Sequence, residues 1–411
     1  MNVLVIGSGG REHAIIKAIK KSKKLENIYI ANGNYGIGLD ANQVNLDLDN
    51  NQEIVDFCFK KEIELVIVGP ENALIGGIGD ELRKNNIMVL GPNEKAAQIE
   101  ASKAYAKKIM EKYHIPTAYY EEFVDYQKAL DYLKDKNTYP TVIKYDGLAA
   151  GKGVYIPKSF EEAKDVLYSI LVKKELGNDS IIIEEFLDGD EFTILSLVNN
   201  DKVFPFQSAR DFKRIFDNDE GLNTGGMGSI CPYHNVNEDL YNQALTILKQ
   251  SASAMVSENN AFNGVLYGGF INVNGVVKVI EFNARFGDPE TQCVLNNLKS
   301  DLLENIIDLV NDKEVKLDFK NQVSCGVVLS AKGYPEAYEK NVDLSDYLSL
   351  NYDILHMSSK KIDEKIVSDG GRVLFVLASG KDSNEAFTKV YDELDKVKNH
   401  KLHFRTDLRN Y

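Results

Sequence analysis

The chain has 411 residues, enough for two to four domains of ~100–200 residues each. Its 44% apolar and 27% charged residues are those of a globular protein that can bury a core without staples. The 62 acidic and 48 basic side chains give a net charge of −14, which argues against broad binding to nucleic acid or an anionic membrane surface. A small anion can still be held in a local pocket of Lys, Arg and backbone N–H groups.

The apolar run at Met1–Gly7 is too short for a signal peptide, and no stretch reaches the ~18 apolar residues of a membrane span. Cys58, Cys231, Cys293 and Cys325 lie far apart with no C-x-x-C spacing, so they read as buried free thiols in a reducing compartment. A cytoplasmic location is expected.

The first hundred residues alternate strand and helix signals. Val3–Ile6 is a buried strand closed by Gly7-Ser8-Gly9-Gly10, and Glu12–Lys21 has helical periodicity. Strands follow at Asn27–Ala31, Leu65–Val68 and Ile87–Leu90, with helices at Glu53–Lys61 and Gly76–Asn85. This alternation implies a doubly wound parallel sheet with ligands at the carboxyl ends of its strands. A Lys-rich helix is expected from Ser102 to His114, stopped near Pro116. Then come a strand Thr141–Lys144, a Gly-rich turn over 147–153, a helix Phe160–Val172 and a strand Ile181–Glu184. Strands are expected at Val265–Val273 and Val276–Phe282, and an amphipathic helix at Ser300–Asn311. An α+β stretch closes the chain, with strands Ser324–Ala331 and Arg372–Ser379 and a helix Glu385–Val397.

Gly7 to His13 follows a strand and opens a helix, a setting in which backbone N–H groups can meet a phosphate. It is not a dinucleotide fingerprint, because Glu12 stands where a third glycine is needed and no acid ends the second strand. A tight turn that binds nothing fits these residues equally well, and His13 alone reads as a core or capping histidine.

Four later features combine. Lys144 ends a strand and presents its ammonium beyond it. Asp146-Gly147-Leu148-Ala149-Ala150-Gly151-Lys152-Gly153 is free of bulk, so its N–H groups can approach an anion, but it lacks the Walker A spacing. Ile181–Glu185 is a buried strand running into two acids, with Glu191 shortly after as an acceptor for ribose hydroxyls. Glu281 and Asn283 lie two apart on a strand, so both face one side and offer hard oxygen ligands for Mg²⁺ shared with phosphates. Arg285 follows on that face and could grip a carboxylate or phosphate. Each feature alone also reads as an ordinary strand end, mobile turn or surface charge. Their joint occurrence in this order points to a nucleotide site.

That order resembles the ATP-grasp fold. The strings GSGGREHA, VGPE, SKAYAK, DGLAAGKGV, IEEFLDG, NTGGMG and EFNARFGDPETQ resemble the phosphoribosylamine–glycine ligase family, strongly from Val3 to about Asp301 and more weakly beyond. The resemblance implies a Rossmann-like substrate domain over 1–101, an ATP-grasp domain over 102–320 with a lid over about 117–190, and a small α+β domain over 321–411. It further implies ATP as cosubstrate, Mg²⁺ or Mn²⁺, and the substrates glycine and 5-phosphoribosylamine. Lys103, Lys144 and Lys152 then contact ATP phosphates, with Gly147, Gly151 and Gly153 in the loop that closes over them. Glu184 and the backbone near Phe186 hold adenine, Glu191 the ribose, and Glu281 with Asn283 the metal. Gly9, Gly10, Arg11, Glu12, His13, Asn223, Thr224, Gly225, Gly226, Arg285 and Asp288 form the substrate site. Lys144, Lys152 and Arg285 are the residues expected to stabilise charge during reaction.

Some positions depart from the family pattern. Tyr145 stands where a small residue is usual, Arg210 and Phe212 replace a glutamine and a histidine, Leu222 replaces a proline, and Asn72-Ala73 replaces Ala-Pro. A carboxylase of the same fold, a non-catalytic nucleotide sensor and an oxidoreductase are the rival readings. The carboxylase is disfavoured because Val265–Ile271 carries no acid, the sensor by intact Lys144, Glu281 and Asn283, and the oxidoreductase by Glu12.

Overall fold

The computed structural model describes residues 1–147, 153–177 and 180–411. A five-stranded parallel sheet opens the chain, in the order Asn42–Val44, Asn27–Ala31, Asn2–Ile6, Ile63–Val68, Met88–Leu90. Val3–Ile6 is wholly buried because helices cover both faces, which is why the strand reads as one continuous apolar run. The strand order reverses direction at Asn2–Ile6, so a crevice opens where that strand ends. The Gly7 turn and the Gly69 turn both sit there, with Gly7 N bonded to Ala31 O and Gly69 N to Ile6 O.

Two expectations change here. The helix expected over 76–85 runs over Ile78–Lys84, and a short unexpected helix, Glu71–Ile75, precedes it, set off where Gly77 adopts a left-handed φ of 78°. A further helix, Glu94–Ala101, precedes Lys103–Lys112. The side chains of Asn93 and Ser102 cap the two helices.

A four-stranded antiparallel sheet, in the order Tyr120–Phe123, Ile181–Glu185, Thr141–Tyr145, Val154–Tyr155, has its own small core that includes Leu133, Ile143, Leu167 and Ile181. Two short hairpins, Arg214–Phe216 with Glu220–Asn223 and Ser359–Ile362 with Lys365–Ser368, stand apart, and the other strands form one nine-stranded sheet. Its path is Val276–Asn283, Asn263–Val273, Asp190–Asn199, Lys202–Asp211, Gly228–Cys231, Val323–Ala331, Arg372–Gly380, Asp353–His356, and Leu402–His403 pairs beside Val323–Ala331. Gly228–Cys231 bonds directly to Val323–Ala331, so the sheet runs unbroken across residue 320. The long hairpin Asp190–Asn199 and Lys202–Asp211 and the helix Glu238–Ser257 complete the central part. Among the described residues no helix is long and apolar enough to cross a membrane. All four cysteines are free and buried.

Candidate active site

Lys144 stands at the centre of the cleft between the small antiparallel sheet and the large one. Its Nζ lies 2.9 Å from Glu184 Oε2 and donates to Ile280 O at 3.0 Å. One buried ammonium therefore joins the small sheet to the strand that carries Glu281. Glu184 Oε1 faces a second buried lysine, Lys107, at 3.2 Å. Lys107 also donates to Thr117 Oγ1 and Ala118 O, and burial pushes it down to about 8 against the opposing pull of Glu184. Lys103 Nζ donates to Gly147 O at 3.1 Å, which brings the start of the Gly-rich loop to the same place. Burial lowers the Lys103 ammonium, Glu281 holds it up and Lys144 works against it. Lys103, Lys144 and Glu281 thus share one electrostatic neighbourhood.

Gly153 returns from the loop with its carbonyl bonded to Tyr145 N. Tyr145 itself packs over the backbone of Gly147, where an added Cβ would lie 2.7 Å from its ring, and its hydroxyl donates to Leu176 O. The departure at Tyr145 is thereby accommodated within the small sheet and its helix. Gly151 and Lys152 lie outside the described residues.

Glu281 and Asn283 flank buried Phe282 and face the same side of their strand, opposite Gly269 and Tyr267. Among the described residues no hydrogen bond or ion pair takes up either side chain. Two unengaged hard oxygen donors beside two lysines fit a divalent cation held together with phosphates. Phe186 lies just past the Ile181–Glu185 strand and is 39% exposed.

The far wall holds residues that the sequence reading assigned no role. Lys213 Nζ lies 2.7 Å from Glu191 Oε2 and 3.4 Å from Asp211 Oδ1. Burial works to lower Lys213, but Asp211 and Glu191 hold it well above its ordinary value. Burial raises Asp211, with Lys213 opposing and Glu191 adding to the rise. Beyond them Glu290 is 3% exposed, and burial followed by Asp211 pushes its carboxyl up to about 7. The Tyr267 hydroxyl bonds to Glu290 and accepts from Thr193 Oγ1.

The second cleft wall is built at the end of the parallel sheet. Glu12 folds back so that Oε2 accepts from Gly9 N at 2.7 Å while Oε1 pairs with Arg11 Nε at 2.6 Å. Arg11 and Arg285 both donate to Phe286 O, at 3.1 and 3.2 Å. Arg285 is further held by Glu100 at 2.9 Å and faces Glu71 at 3.4 Å. Asp288 binds Arg372 at 3.2 Å and accepts from Gln292 at 2.7 Å. Arg372 also donates to Gly225 O and Asp288 O. An added Cβ at Gly9 would lie 3.3 Å from Asp288 Oδ2, one at Gly10 2.8 Å from Gln292 Nε2, and one at Gly226 2.4 Å from Pro289. The Gly9–Gly10 turn, the Gly225–Gly226 loop and the Arg285–Asp288 segment therefore meet around Asp288. Thr224 donates through both N and Oγ1 to Lys213 O, and Asn223 pairs with Arg214, so this loop is also tied to the nucleotide cleft.

His13 is placed differently. Its Nδ1 accepts from His356 N at 2.9 Å, and its Nε2 bonds to Asp40 at 3.2 Å. The Nδ1 contact joins the parallel sheet domain to the C-terminal strands, while Asp40 belongs to the parallel sheet domain itself.

Signals for most of the missed residues lay in or beside features already singled out. Glu71 belongs to VGPE and Glu290 to EFNARFGDPETQ, Asp211 and Lys213 adjoin the departing positions Arg210 and Phe212, and Arg372 opens an expected strand. Glu100 and Tyr267 had no such signal, since only the packing of a helix end and a strand brings them to the cleft.

The arrangement has a counterpart in known proteins. The model of the phosphoribosylglycinamide synthetase N domain matches residues 1–100, its ATP-grasp (A) domain residues 101–291, and its C domain residues 324–410. The chain belongs to this family. A phosphoribosylamine–glycine ligase of Halalkalibacterium halodurans is 43% identical over 99% of this chain and 96% of its own length. One from Listeria innocua is 43% identical over 99% of both. The crystal structure of the Thermotoga maritima phosphoribosylamine–glycine ligase superposes with a TM-score of 0.87 at 30% identity, covering 99% of this chain and 100% of that one. As a family member, the chain is an ATP-dependent ligase of purine biosynthesis that acts on small molecules. The comparisons do not favour the carboxylase, sensor or oxidoreductase readings.

Proposed function

We propose that the enzyme joins glycine to 5-phosphoribosylamine in the cytoplasm, converting ATP to ADP and phosphate. Glycine's carboxylate is a poor electrophile because it is anionic and its oxygen leaves badly. Its oxygen attacks the γ-phosphorus of ATP, the bond to ADP breaks, and glycyl phosphate forms. The amine of phosphoribosylamine then attacks the acyl carbon and expels phosphate, leaving the amide and one proton. No covalent enzyme nucleophile is required. The protein positions reactants and neutralises charge.

In this reading Lys103, Lys144 and Lys152 neutralise the phosphates, and the loop through Gly147, Gly151 and Gly153 covers them and keeps water from the acyl phosphate. Glu184 orients Lys144, the backbone near Phe186 meets adenine, and Glu191 accepts from the ribose. Glu281 and Asn283 hold Mg²⁺ or Mn²⁺, which supplies charge neutralisation at the phosphate oxygens. Arg285, oriented by Glu100 and Glu71, stabilises the reacting carboxylate. The Gly9–Glu12 turn, Asn223–Gly226 and Asp288 receive the phosphoribosyl part, and His13 fixes that turn against the C-terminal strands. Residues 1–101 and 321–411 wall the substrate side, and 102–320 carry the nucleotide.

The supporting observation is the Lys144 ammonium, held between Glu184 and the carbonyl of the residue before Glu281. ADP release measured with glycine alone, with phosphoribosylamine alone and with both tests the reading. ADP formed only when both are present is expected. ADP formation that instead depends on bicarbonate, or ATP binding without turnover, contradicts it.

A further inference from the structure

The segment His403–Tyr411 lies outside the cleft yet holds a hairpin that links Lys213 on its nucleotide side to Thr224 on its substrate side. That hairpin, Arg214–Phe216 and Glu220–Asn223, begins directly after Lys213 and ends directly before Thr224. Its turn places Asn218 at φ 57° and Asp219 at φ 54°, successive left-handed residues of the kind Asn and Asp tolerate in tight hairpin turns. The tail fixes this turn at several points. Arg405 is fully buried. It forks onto Asp407 through Nε at 2.9 Å and Nη2 at 2.6 Å, while Nη1 reaches Asp219 Oδ1 at 2.7 Å. Asn218 N donates to Asp407 Oδ2 and Thr406 N to Asp217 Oδ1, both at 2.8 Å. His403 Nε2–H donates to Ile215 O at 2.8 Å.

The last residue completes the lock. The Tyr411 ring lies 4.8 Å from that of Phe212, and the Arg210 guanidinium lies 5.1 Å from the Tyr411 ring. Arg210 and Phe212, at and just past the end of the Lys202–Asp211 strand, are two positions that depart from the family pattern. Their side chains face the tail, while Asp211 and Lys213 between and beside them face the cleft. A fully buried, bidentate Arg–Asp pair has one geometry, so it transmits position rather than only binding energy.

We propose that Arg405 is a positioning residue for the ligase reaction. Through Asp219 and the hairpin turn it fixes Lys213 on the nucleotide side and Thr224 on the substrate side in mutual register. The inference rests on the reading of Lys213 and Thr224 as site residues.

The test compares Arg405→Lys, Asp219→Asn and Thr406→Val with Lys213→Met in the full chain. KM for each substrate, kcat, and hydrogen exchange of residues 214–223 are measured. Arg405→Lys keeps the charge but loses the fork. Thr406→Val removes the hydrogen bond that Thr406 Oγ1 donates to Asp217 Oδ2, and like Asp219→Asn it acts at a more exposed contact should the buried position not tolerate change. Faster exchange confined to the hairpin is expected. With it should come a fall of ~10-fold or more in kcat/KM for phosphoribosylamine, since small misplacements carry such costs, and an unchanged melting temperature for the two exposed variants. Hairpin release with unchanged kcat and KM overturns the proposal while leaving the site intact. Lys213→Met with parental kinetics overturns the site reading itself.

Discussion

Glu290→Gln should stabilise the protein above neutral pH while impairing it as an enzyme. Glu290 is 3% exposed, and among the described residues no lysine or arginine forms an ion pair with it. Burial, then the neighbouring Asp211, moves its carboxyl from 4.5 to about 7. The unfolded chain releases this proton near the lower value and the folded chain near the upper one. Between them the folded state binds more protons, so stability falls as pH rises. The favourable contribution is complete below the unfolded value and gone once pH has passed the folded value. At about 1.36 kcal/mol per pH unit, the ionised form costs roughly 3 kcal/mol. Glutamine keeps the shape, can accept from the Tyr267 hydroxyl, and does not ionise. The variant should therefore exceed the parent by roughly 3 kcal/mol near pH 8 and match it near the unfolded carboxyl value. Denaturant titrations at a series of pH values measure the difference. A gap that stays flat across that range, or a variant less stable near pH 8, refutes the reasoning. Turnover of the variant should fall, because Glu290 sits behind Asp211 and Lys213 at the cleft wall.

Other expectations follow the same geometry. Lys144→Met leaves Glu184 still balanced by Lys107, so the fold should survive while kcat/KM for ATP drops on the order of 100-fold in ADP-release assays. Glu281→Ala should lose Mg²⁺-dependent turnover with an unchanged melting temperature, and parental activity would remove the metal assignment. Glu184→Gln strands two buried lysines. It should cost about 3–5 kcal/mol at neutral pH. Lys107, already at about 8, should fall further. The folded state then binds fewer protons than the unfolded one, so chemical denaturation should show stability regained as pH rises toward the unfolded lysine value. Phe212→Ala removes a ring buried against Tyr411 and Phe387 and should lower stability by about 3–5 kcal/mol with ATP affinity retained.

The parallel sheet was legible because strands buried on both faces, such as Val3–Ile6, announce themselves as apolar runs between glycine turns. The cleft residues Lys144, Glu281 and Asn283 were legible because strand periodicity puts them at an end or on one face. The hairpin Asp190–Asn199 and Lys202–Asp211 was missed because Arg210, Asp211, Lys202 and Pro205 interrupt its alternation, and tertiary pairing outweighs that composition. Partnership between charges was not legible at all. Nothing in the sequence says that Glu100 meets Arg285 across 185 positions, or that Arg372 closes over Gly225. His13 illustrates the same limit. Its neighbours in the chain suggest a phosphate turn, while its hydrogen bonds run to Asp40 and His356.

The central claim is that Lys144 and the Glu281/Asn283 pair act on one nucleotide. A double-mutant cycle in calorimetric ATP titrations with Mg²⁺ present, using Lys144→Met, Glu281→Ala and the combined variant, tests it directly. One shared site predicts that the two losses are strongly non-additive, the second substitution costing far less once the first is in place. Losses that simply add would place the lysine and the metal pair at independent sites and contradict the account.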